Sequence, residues 1–302
     1  MRWLLPFVLL AIVTSGVTAA DNSNRQADVV YGRKHGMALT MDVFTPTENA
    51  NGAALVFVVS GGWFSAHEAI RTEFVAPFLK RGYTVFAVVH GSQPKFTIPE
   101  AIADVKRSVR FIRHNAERFK IDPERVGIMG ASAGGHLSLS LGTMGDDGDA
   151  KAKDEVDRES SRVQAVACFF PPTDFLNYGK PGEEALGNGV LAGFKAPFDF
   201  NELSPQTKRF ERITDEERRR EIGQQISPAN HVSADDAPSL IIHGDADKLV
   251  PIQQAELIIE KFKDAGVPSE LVVKANAGHG WITLLSDLET LADWFDKHLA
   301  KK

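Results

Sequence analysis

Short apolar segments of strand length alternate along the chain with longer segments whose apolar residues recur at helical spacing. We predict strands at residues 54–60, 83–89, 125–129, 164–170, 239–243 and 270–275, and helices at residues 98–119, 132–142, 252–265 and 284–299. This alternation is typical of an α/β fold, in which a mostly parallel sheet carries crossover helices on both faces. Residues 29–44 alternate apolar and polar positions, which predicts an antiparallel hairpin at the sheet edge.

Two segments interrupt the alternation of strands and helices. Residues 145–162 are rich in charge and predict a solvated loop. Residues 176–233 combine glycine, proline and aromatic residues with a charged run of helical spacing at 211–221. Since ligands bind beyond the carboxyl ends of the strands in such sheets, this insertion between two late strands is in the right position to cap a site.

The amino terminus has the pattern of a secretory signal. Arg2 precedes an apolar segment at residues 3–13, and Thr18-Ala19-Ala20 supplies small residues at the expected cleavage point. The alternative is a membrane anchor, but the apolar segment is shorter than the roughly 20 residues that span a bilayer. We therefore predict removal of residues 1–20, a secreted or periplasmic location, and no stable membrane insertion of the mature chain.

Composition narrows the classes of function. The chain has 302 residues, of which 43% are hydrophobic, so residues 21–302 can form one domain with a large core. Its net charge of -6 argues against binding to nucleic acids or anionic membranes, which needs clustered Lys and Arg. The single cysteine, Cys168, excludes an intramolecular disulfide and lies in an apolar run that predicts core packing.

A serine stands on a bare turn in the stretch Gly130-Ala-Ser132-Ala-Gly134. This G-x-S-x-G pattern follows a predicted strand and precedes a predicted helix, which is the context of a nucleophile elbow. A sharp strand-to-helix turn crowds the backbone, so residues with small side chains or none must flank the serine. Ser132 is therefore a candidate nucleophile.

A serine hydroxyl needs a histidine base and a carboxylate that orients it. In the chain order serine, acid, histidine, two histidines remain: His243 is explained as a strand-end residue, whereas His279 lies in a small-residue loop before the last helix. Asp245 and Asp247 compete for the acid. We favour Asp247, because Asp245 lies closer to the strand end, where aspartate commonly stabilises a turn.

Acyl transfer also creates an oxyanion, which needs hydrogen-bond donors that are already in place. The amide of Ala133, which follows the nucleophile, is one candidate. Gly61 and Gly62 come after the strand at 54–60, and their amides can approach a ligand closely. The alternative is that these glycines only form a turn.

The sequence resembles the α/β-hydrolase esterases related to bacterial feruloyl and acetylxylan esterases, the BD-FAE-like family. It has lesser similarity to the catalytic domain of prolyl oligopeptidases. The resemblance runs nearly end to end, through the segments Leu39-Thr-Met-Asp-Val-Phe-Thr-Pro46, Ile121-Asp-Pro-Glu-Arg-Val126, Gly130-Ala-Ser-Ala-Gly-Gly-His136 and His243-Gly-Asp-Ala-Asp247. It implies an α/β-hydrolase fold, the triad Ser132, Asp247 and His279, and oxyanion donors at Gly61, Gly62 and Ala133. One departure is that Ser60 stands where relatives carry a histidine before the glycines.

These features together predict an exported serine esterase that uses no metal or organic cofactor. Its substrate would be a small-molecule or oligosaccharide ester with short acyl, acetyl or feruloyl groups. Trp63, Phe64 and Trp281 are candidate pocket residues, and Phe170, Phe175 and Tyr178 could join them, although aromatic residues are more often core.

Three alternatives stay open. A peptidase of the prolyl oligopeptidase type would share the triad, but such enzymes usually carry a propeller before the hydrolase pattern. A lipase would be expected to show a long apolar lid, whereas residues 176–233 are rich in charge. An inactive hydrolase used as a binding module would be inert toward all esters and amides. The oligomeric state does not follow from the sequence.

Overall fold

A central eight-stranded sheet organises residues 23–301, the part of the chain that the structure, a computed structural model, describes. The strands of this sheet are β1 Ser23–Lys34, β2 Met37–Pro46, β3 Ala54–Val58, β4 Thr84–Val89, β5 Val126–Ala131, β6 Ala165–Phe169, β9 Ser239–Gly244 and β10 Ser269–Lys274. A separate antiparallel pair consists of β7 Asn201–Leu203 and β8 Phe210–Arg212. The predicted signal at residues 1–20 lies outside the described residues.

The order of the strands is β1-β2-β4-β3-β5-β6-β9-β10. The hairpin β1–β2 joins the sheet through β2, which pairs with β4 in antiparallel fashion. The other six strands of the sheet run parallel to one another, in the spatial order β4-β3-β5-β6-β9-β10. β3, β6 and β9 are buried along their whole length, because helices cover both faces of a parallel sheet. The predicted α/β fold with an antiparallel edge hairpin is confirmed.

Helices lie on both faces of the sheet. They are α1 Ala76–Lys80, α2 Ile98–His114, α3 Ala116–Phe119, α4 Ala133–Met144, α5 Glu216–Gln225, α6 Gln253–Asp264 and α7 Leu288–His298. The apolar faces of α2, α4 and α6 belong to one hydrophobic cluster, and those of α1 and α7 belong to the other. The sheet thus separates two cores. Among residues 23–301, none of the helices combines the length and apolar character that a membrane crossing requires.

The predicted helix at 98–119 is in fact two helices. A capping box of Thr97 and Glu100 starts α2, which satisfies amides that the first turn leaves unpaired. Asn115 then leaves the helical conformation, and its side-chain amide donates to the carbonyl of Phe111. An asparagine side chain competes in this way for the hydrogen bonds of the helix backbone. The break between α2 and α3 therefore has a local cause, the side chain of Asn115.

Residues 176–233 contain β7, β8 and α5 joined by irregular chain. The helix begins at Glu216 rather than at residue 211, because residues 210–212 pair as β8 and Asp215 caps the helix by accepting from the amide of Arg218. Part of this insertion is deeply buried: Phe198 and Ile226 expose 1% and 2% of their surface. The segment therefore packs on the domain through its own apolar residues.

Candidate active site

The candidate residues meet at one edge of the sheet, where the parallel strands end. Ser132 follows β5, Asp247 follows β9 and His279 follows β10. The glycines Gly61 and Gly62 follow β3, which pairs with β5. Because the carboxyl ends of parallel strands share one edge, residues far apart in the sequence are brought together.

Ser132 lies on a strained turn between β5 and α4. Its φ of 54° and ψ of -119° are unusual for a residue with a side chain. A Cβ added to Gly130 would lie 2.5 Å from the carbonyl of Gly134, and one added to Gly134 would lie 2.7 Å from the carbonyl oxygen of Val58. Two glycines are thus needed for the backbone to pass this closely, and the turn exposes the serine hydroxyl at the start of α4.

Ser132, His279 and Asp247 form a continuous hydrogen-bonded relay. Ser132 Oγ lies 2.9 Å from His279 Nε2, and His279 Nδ1 lies 2.7 Å from Asp247 Oδ2. Since a carboxylate only accepts, Nδ1 carries the proton in this arrangement, and Nε2 can accept the serine proton. The three residues occur in the order and geometry of a nucleophile, a base and an orienting acid.

The two candidate aspartates have different partners. Asp245 Oδ1 accepts from the amide of Asn276 at 2.6 Å, so it stabilises the turn before the histidine loop. Asp247 contacts His279, as favoured from the sequence. The structure therefore separates a turn-forming carboxylate from the one that faces the histidine.

Asp247 is held as a carboxylate. Burial by itself raises its pKa, but the neighbouring rings of His243 and His279 outweigh this effect and bring the pKa well below the usual range. The amides of Leu249 and Val250 also donate to Oδ1, at 2.9 and 3.0 Å. The loop therefore fixes Oδ1, while Oδ2 faces His279 at 2.7 Å and His243 at 3.5 Å.

Aromatic side chains support the histidine. The Phe170 ring lies 4.4 Å from the His279 ring, centroid to centroid, and Trp281 lies 5.7 Å from Phe170. The indole of Trp281 donates to Asp287 at 2.6 Å. Only 24% of the His279 side chain is exposed, so these contacts restrict its rotation while its Nε2 faces Ser132.

Residues 61–64 form a tight turn beside the serine. The amides and carbonyls of Gly61 and Phe64 bond to each other at 2.9 to 3.0 Å, and Gly62 and Trp63 between them both have positive φ. This is the geometry of a type I′ turn, which strongly favours glycine at its centre. We call residues 61–64 the oxyanion-side turn.

The turn corrects the prediction for Gly61. Its N–H already donates to Phe64, because the outer residues of such a turn pair with each other. Gly62 and Trp63 are the central residues, whose amides are outside this pairing. Ala133 is the first residue of α4, where an N–H has no acceptor within the helix. Donor roles for Gly62 and Ala133 stay predictions.

The aromatic residues predicted to line a pocket differ in their exposure to solvent. Trp63 is 3% exposed and packs beneath the turn against Phe175 and Phe198, so the prediction that it lines a substrate pocket is wrong. Phe175 and Tyr178 are also buried, at 0% and 1%. Phe64 is 51% exposed at the turn.

The histidine next to the elbow has a structural role that the sequence did not reveal. His136 is fully buried and accepts at Nδ1 from the indole of Trp63 at 3.2 Å, while its Nε2 donates to the carbonyl of Ile226 at 2.7 Å. Burial lowers the pKa of His136 to about 4, against a smaller raising effect of the Ile226 carbonyl. It thus links the oxyanion-side turn, α4 and the insertion as a neutral ring.

No group of three or more His, Cys, Asp or Glu side chains within residues 23–301 is placed to hold a metal ion. Cys168 is buried in β6, and burial raises the pKa of its thiol.

The chain is similar to known esterases in sequence and in fold. The BD-FAE family model matches residues 41–262. The chain is 27% identical over 240 residues to a probable carboxylic ester hydrolase, LipM, of Mycobacterium tuberculosis, covering 78% of this chain and 51% of LipM. It spans about half the length of the curated relatives that it matches.

Two solved structures are similar over most of their length. A truncated carbohydrate esterase from gut microbiota has a TM-score of 0.72 and 27% identity, covering 93% of this chain and 98% of that one. Esterase 2 of Thermogutta terrifontis, phosphonylated by cyclosarin, has a TM-score of 0.66 and 25% identity, covering 92% and 96%.

The neutral state of His136 predicts a loss of stability in acid. Its folded pKa of about 4 lies below the ordinary value of 6.5, so the unfolded chain binds the proton more tightly, and stability falls as the pH drops from about 6.5 toward 4. When the pH is lowered from 7 to 5, protonation linked to this group should lower the free energy of unfolding by about 2 kcal/mol. Urea unfolding at both pH values measures it.

The matched variants for this test are His136→Gln and Ser140→Ala. His136→Gln should have a flatter pH dependence, with a residual slope from His90, whose pKa burial also lowers to about 4. Ser140→Ala, on the same helix as His136, removes no titratable group and should keep the wild-type slope. An unchanged slope in His136→Gln would contradict the assignment.

Proposed function

The chain belongs to the BD-FAE family, and we propose on this basis that it is a serine hydrolase that cleaves carboxylic esters through a covalent acyl-enzyme. The observation that carries the proposal is the relay from Ser132 Oγ through His279 to Asp247, with distances of 2.9 and 2.7 Å. The similarity to LipM and to a carbohydrate esterase supports the same reaction class.

In this mechanism, Ser132 Oγ attacks the ester carbonyl while His279 Nε2 takes its proton. The resulting oxyanion accepts hydrogen bonds from the amides of Ala133 and Gly62. When the tetrahedral intermediate collapses, His279 returns the proton to the leaving alcohol and the acyl group stays on Ser132. Water, deprotonated by His279, then attacks the acyl-enzyme, and the acid is released as the serine regains its proton.

Asp247 orients the imidazole and stabilises its protonated form. Its Oδ2 faces His279 Nδ1, so the ring cannot take the opposite tautomer without losing this bond. Because its pKa is well below the usual range, the carboxylate stays charged at neutral pH.

We propose short acyl, acetyl or feruloyl esters on sugars of plant or algal polysaccharides as the substrates. The similarity to a carbohydrate esterase supports this class. The exposed Phe64 beside the oxyanion-side turn offers an aromatic face of the kind on which a sugar ring or a feruloyl ring can pack.

We also propose that the protein acts outside the cytoplasm. The apolar segment at residues 3–13 and the small residues Thr18-Ala19-Ala20 support export and cleavage.

Ser132→Ala should abolish both ester hydrolysis and labelling by a fluorophosphonate probe. Loss of the nucleophile lowers kcat by about 10⁶, and Asp247→Asn should lower it by about 10⁴, because the histidine tautomer is no longer fixed. Labelling gels and p-nitrophenyl acetate hydrolysis measure these effects. Ser140→Ala removes a buried hydroxyl on the same helix and should keep wild-type labelling. Persistent labelling of Ser132→Ala would refute the mechanism.

A substrate panel tests the proposed class. Acetylated xylo-oligosaccharides, feruloylated sugars and p-nitrophenyl acetate should be hydrolysed at least about tenfold faster than p-nitrophenyl palmitate or aminoacyl anilides, because pocket contacts discriminate by such factors. Release of acetate, ferulate or nitrophenol gives the rates. Faster cleavage of anilides would favour a peptidase, and inertness toward every compound would favour a binding module.

Export can be tested with the full-length chain in a bacterial host. The protein recovered from the periplasm or medium should begin at residue 21, because cleavage after Ala20 fits the small-residue rule. Amino-terminal sequencing and intact mass measure this. Recovery of the protein in the cytoplasm with residues 1–20 still attached would contradict the proposal.

A further inference from the structure

Ser60, which precedes the oxyanion-side turn, is bonded to a histidine from the neighbouring strand. Ser60 Oγ lies 2.9 Å from Nε2 of His90, the residue that follows β4. β3 and β4 are adjacent and parallel, so the chain after one strand lies beside the chain after the other. Nothing in the turn sequence itself indicates this contact.

We propose that His90 is a positioning residue for the ester hydrolysis: it holds the oxyanion-side turn in place through its hydrogen bond to Ser60. This inference rests on the proposed function, because it concerns the donors that receive the oxyanion. His90 does not touch the reacting atoms in this mechanism. It acts through Ser60.

The direction of the hydrogen bonds follows from the partners. His90 Nδ1 lies 2.9 Å from the carbonyl oxygen of Gly91, which only accepts, so Nδ1 carries the proton. Nε2 of the neutral ring therefore accepts from the Ser60 hydroxyl. The ring is 2% exposed, and its burial favours the neutral form that this pattern needs.

His90 is itself fixed by two further connections. Its amide donates to Ser65 Oγ at 3.1 Å, and Ser65 Oγ donates to the carbonyl of Val59 at 2.5 Å. The next amide, of Gly91, donates to Asp104 at 2.8 Å, and Asp104 is paired with Lys34 at 2.5 Å. The ring thus projects from a chain segment that is anchored to α2 and β1.

The same segment reaches the far side of the turn. The amide of Gln93 donates to the carbonyl of Trp63 at 3.2 Å, and Ser92 Oγ accepts from the amide of Ser65 at 3.0 Å. Residues 90–93 therefore contact the turn before Gly61 and after Gly62. The His90–Ser60 bond is the side-chain contact at the entry to the turn.

Ser60 also lies against the nucleophile elbow. A Cβ added to Gly134 would be 3.4 Å from the Ser60 carbonyl oxygen and 3.7 Å from Ser60 Cβ. A displacement of Ser60 would consequently move the turn relative to Ser132. Displacements of about 1 Å in a reacting geometry can lower a rate by up to about 10²-fold, so loss of this bond should affect the chemical step.

Ser60→Ala and His90→Phe test the proposal in p-nitrophenyl acetate hydrolysis. Each should lower kcat about tenfold and leave KM within about twofold, because oxyanion donors act mainly in the transition state. Each should also weaken inhibition by an alkyl trifluoromethyl ketone about tenfold, since its serine adduct carries an oxyanion. Ser60→Thr keeps the hydroxyl and should recover most of the loss.

A double-mutant cycle separates a shared role from two independent ones. If His90 acts through Ser60, the double variant should be no more than about threefold slower than either single variant. If the two effects were independent, the double variant would be about 100-fold slower than the wild type. Ser140→Ala, which removes a serine hydroxyl that donates to the backbone carbonyl of His136 instead, is the control and should keep kcat and inhibitor affinity. Melting temperatures are measured in parallel.

The outcomes distinguish this inference from the proposed function. Wild-type kcat and inhibitor affinity in Ser60→Ala, multiplicative losses in the double variant, or losses no larger than those of Ser140→Ala would each overturn the role of His90. If His90→Phe fails to fold, Ser60→Ala and its recovery by Ser60→Thr decide the question. Activity that survives in Ser132→Ala would instead refute the serine mechanism itself.

Discussion

The close approach of three backbone segments at Ser132 is the constraint on which the site depends. The end of β3, the end of β5 and the first turn of α4 are in contact there, and Gly130 and Gly134 leave no room for a side chain. This approach places the serine hydroxyl, the amide of Ala133 and the oxyanion-side turn side by side. The strained φ of Ser132 costs free energy, which the packing of the surrounding sheet and helix offsets.

Burial places chemically identical histidines in different environments at this edge of the sheet. His279 is partly exposed, and its two nitrogens face Ser132 and Asp247. His90 and His136 are enclosed, neutral, and bonded to carbonyls that fix their tautomers. The enclosed rings are hydrogen-bonded within the fold, whereas the ring of His279 faces the serine hydroxyl.

The sequence was sufficient for features that depend on local patterns. Strand and helix periodicity predicted the parallel sheet, and the glycines around Ser132 predicted the elbow. It could not predict which amide of the turn is free, because the pairing of Gly61 with Phe64 depends on the positive φ of Gly62 and Trp63. It also could not tell that Trp63 is buried, since an aromatic residue after glycines fits both a pocket and a core.

The bond between His136 and the Ile226 carbonyl has a consequence for how this scaffold can be altered. The insertion at residues 176–233 differs from a detachable module, because its backbone is the acceptor for the ring that also holds Trp63. A loop graft that replaced this segment in order to change substrate preference would leave a polar group without its partner beneath the turn. Engineering of this insertion must therefore retain the chain around Ile226, or redesign helix α4 together with it.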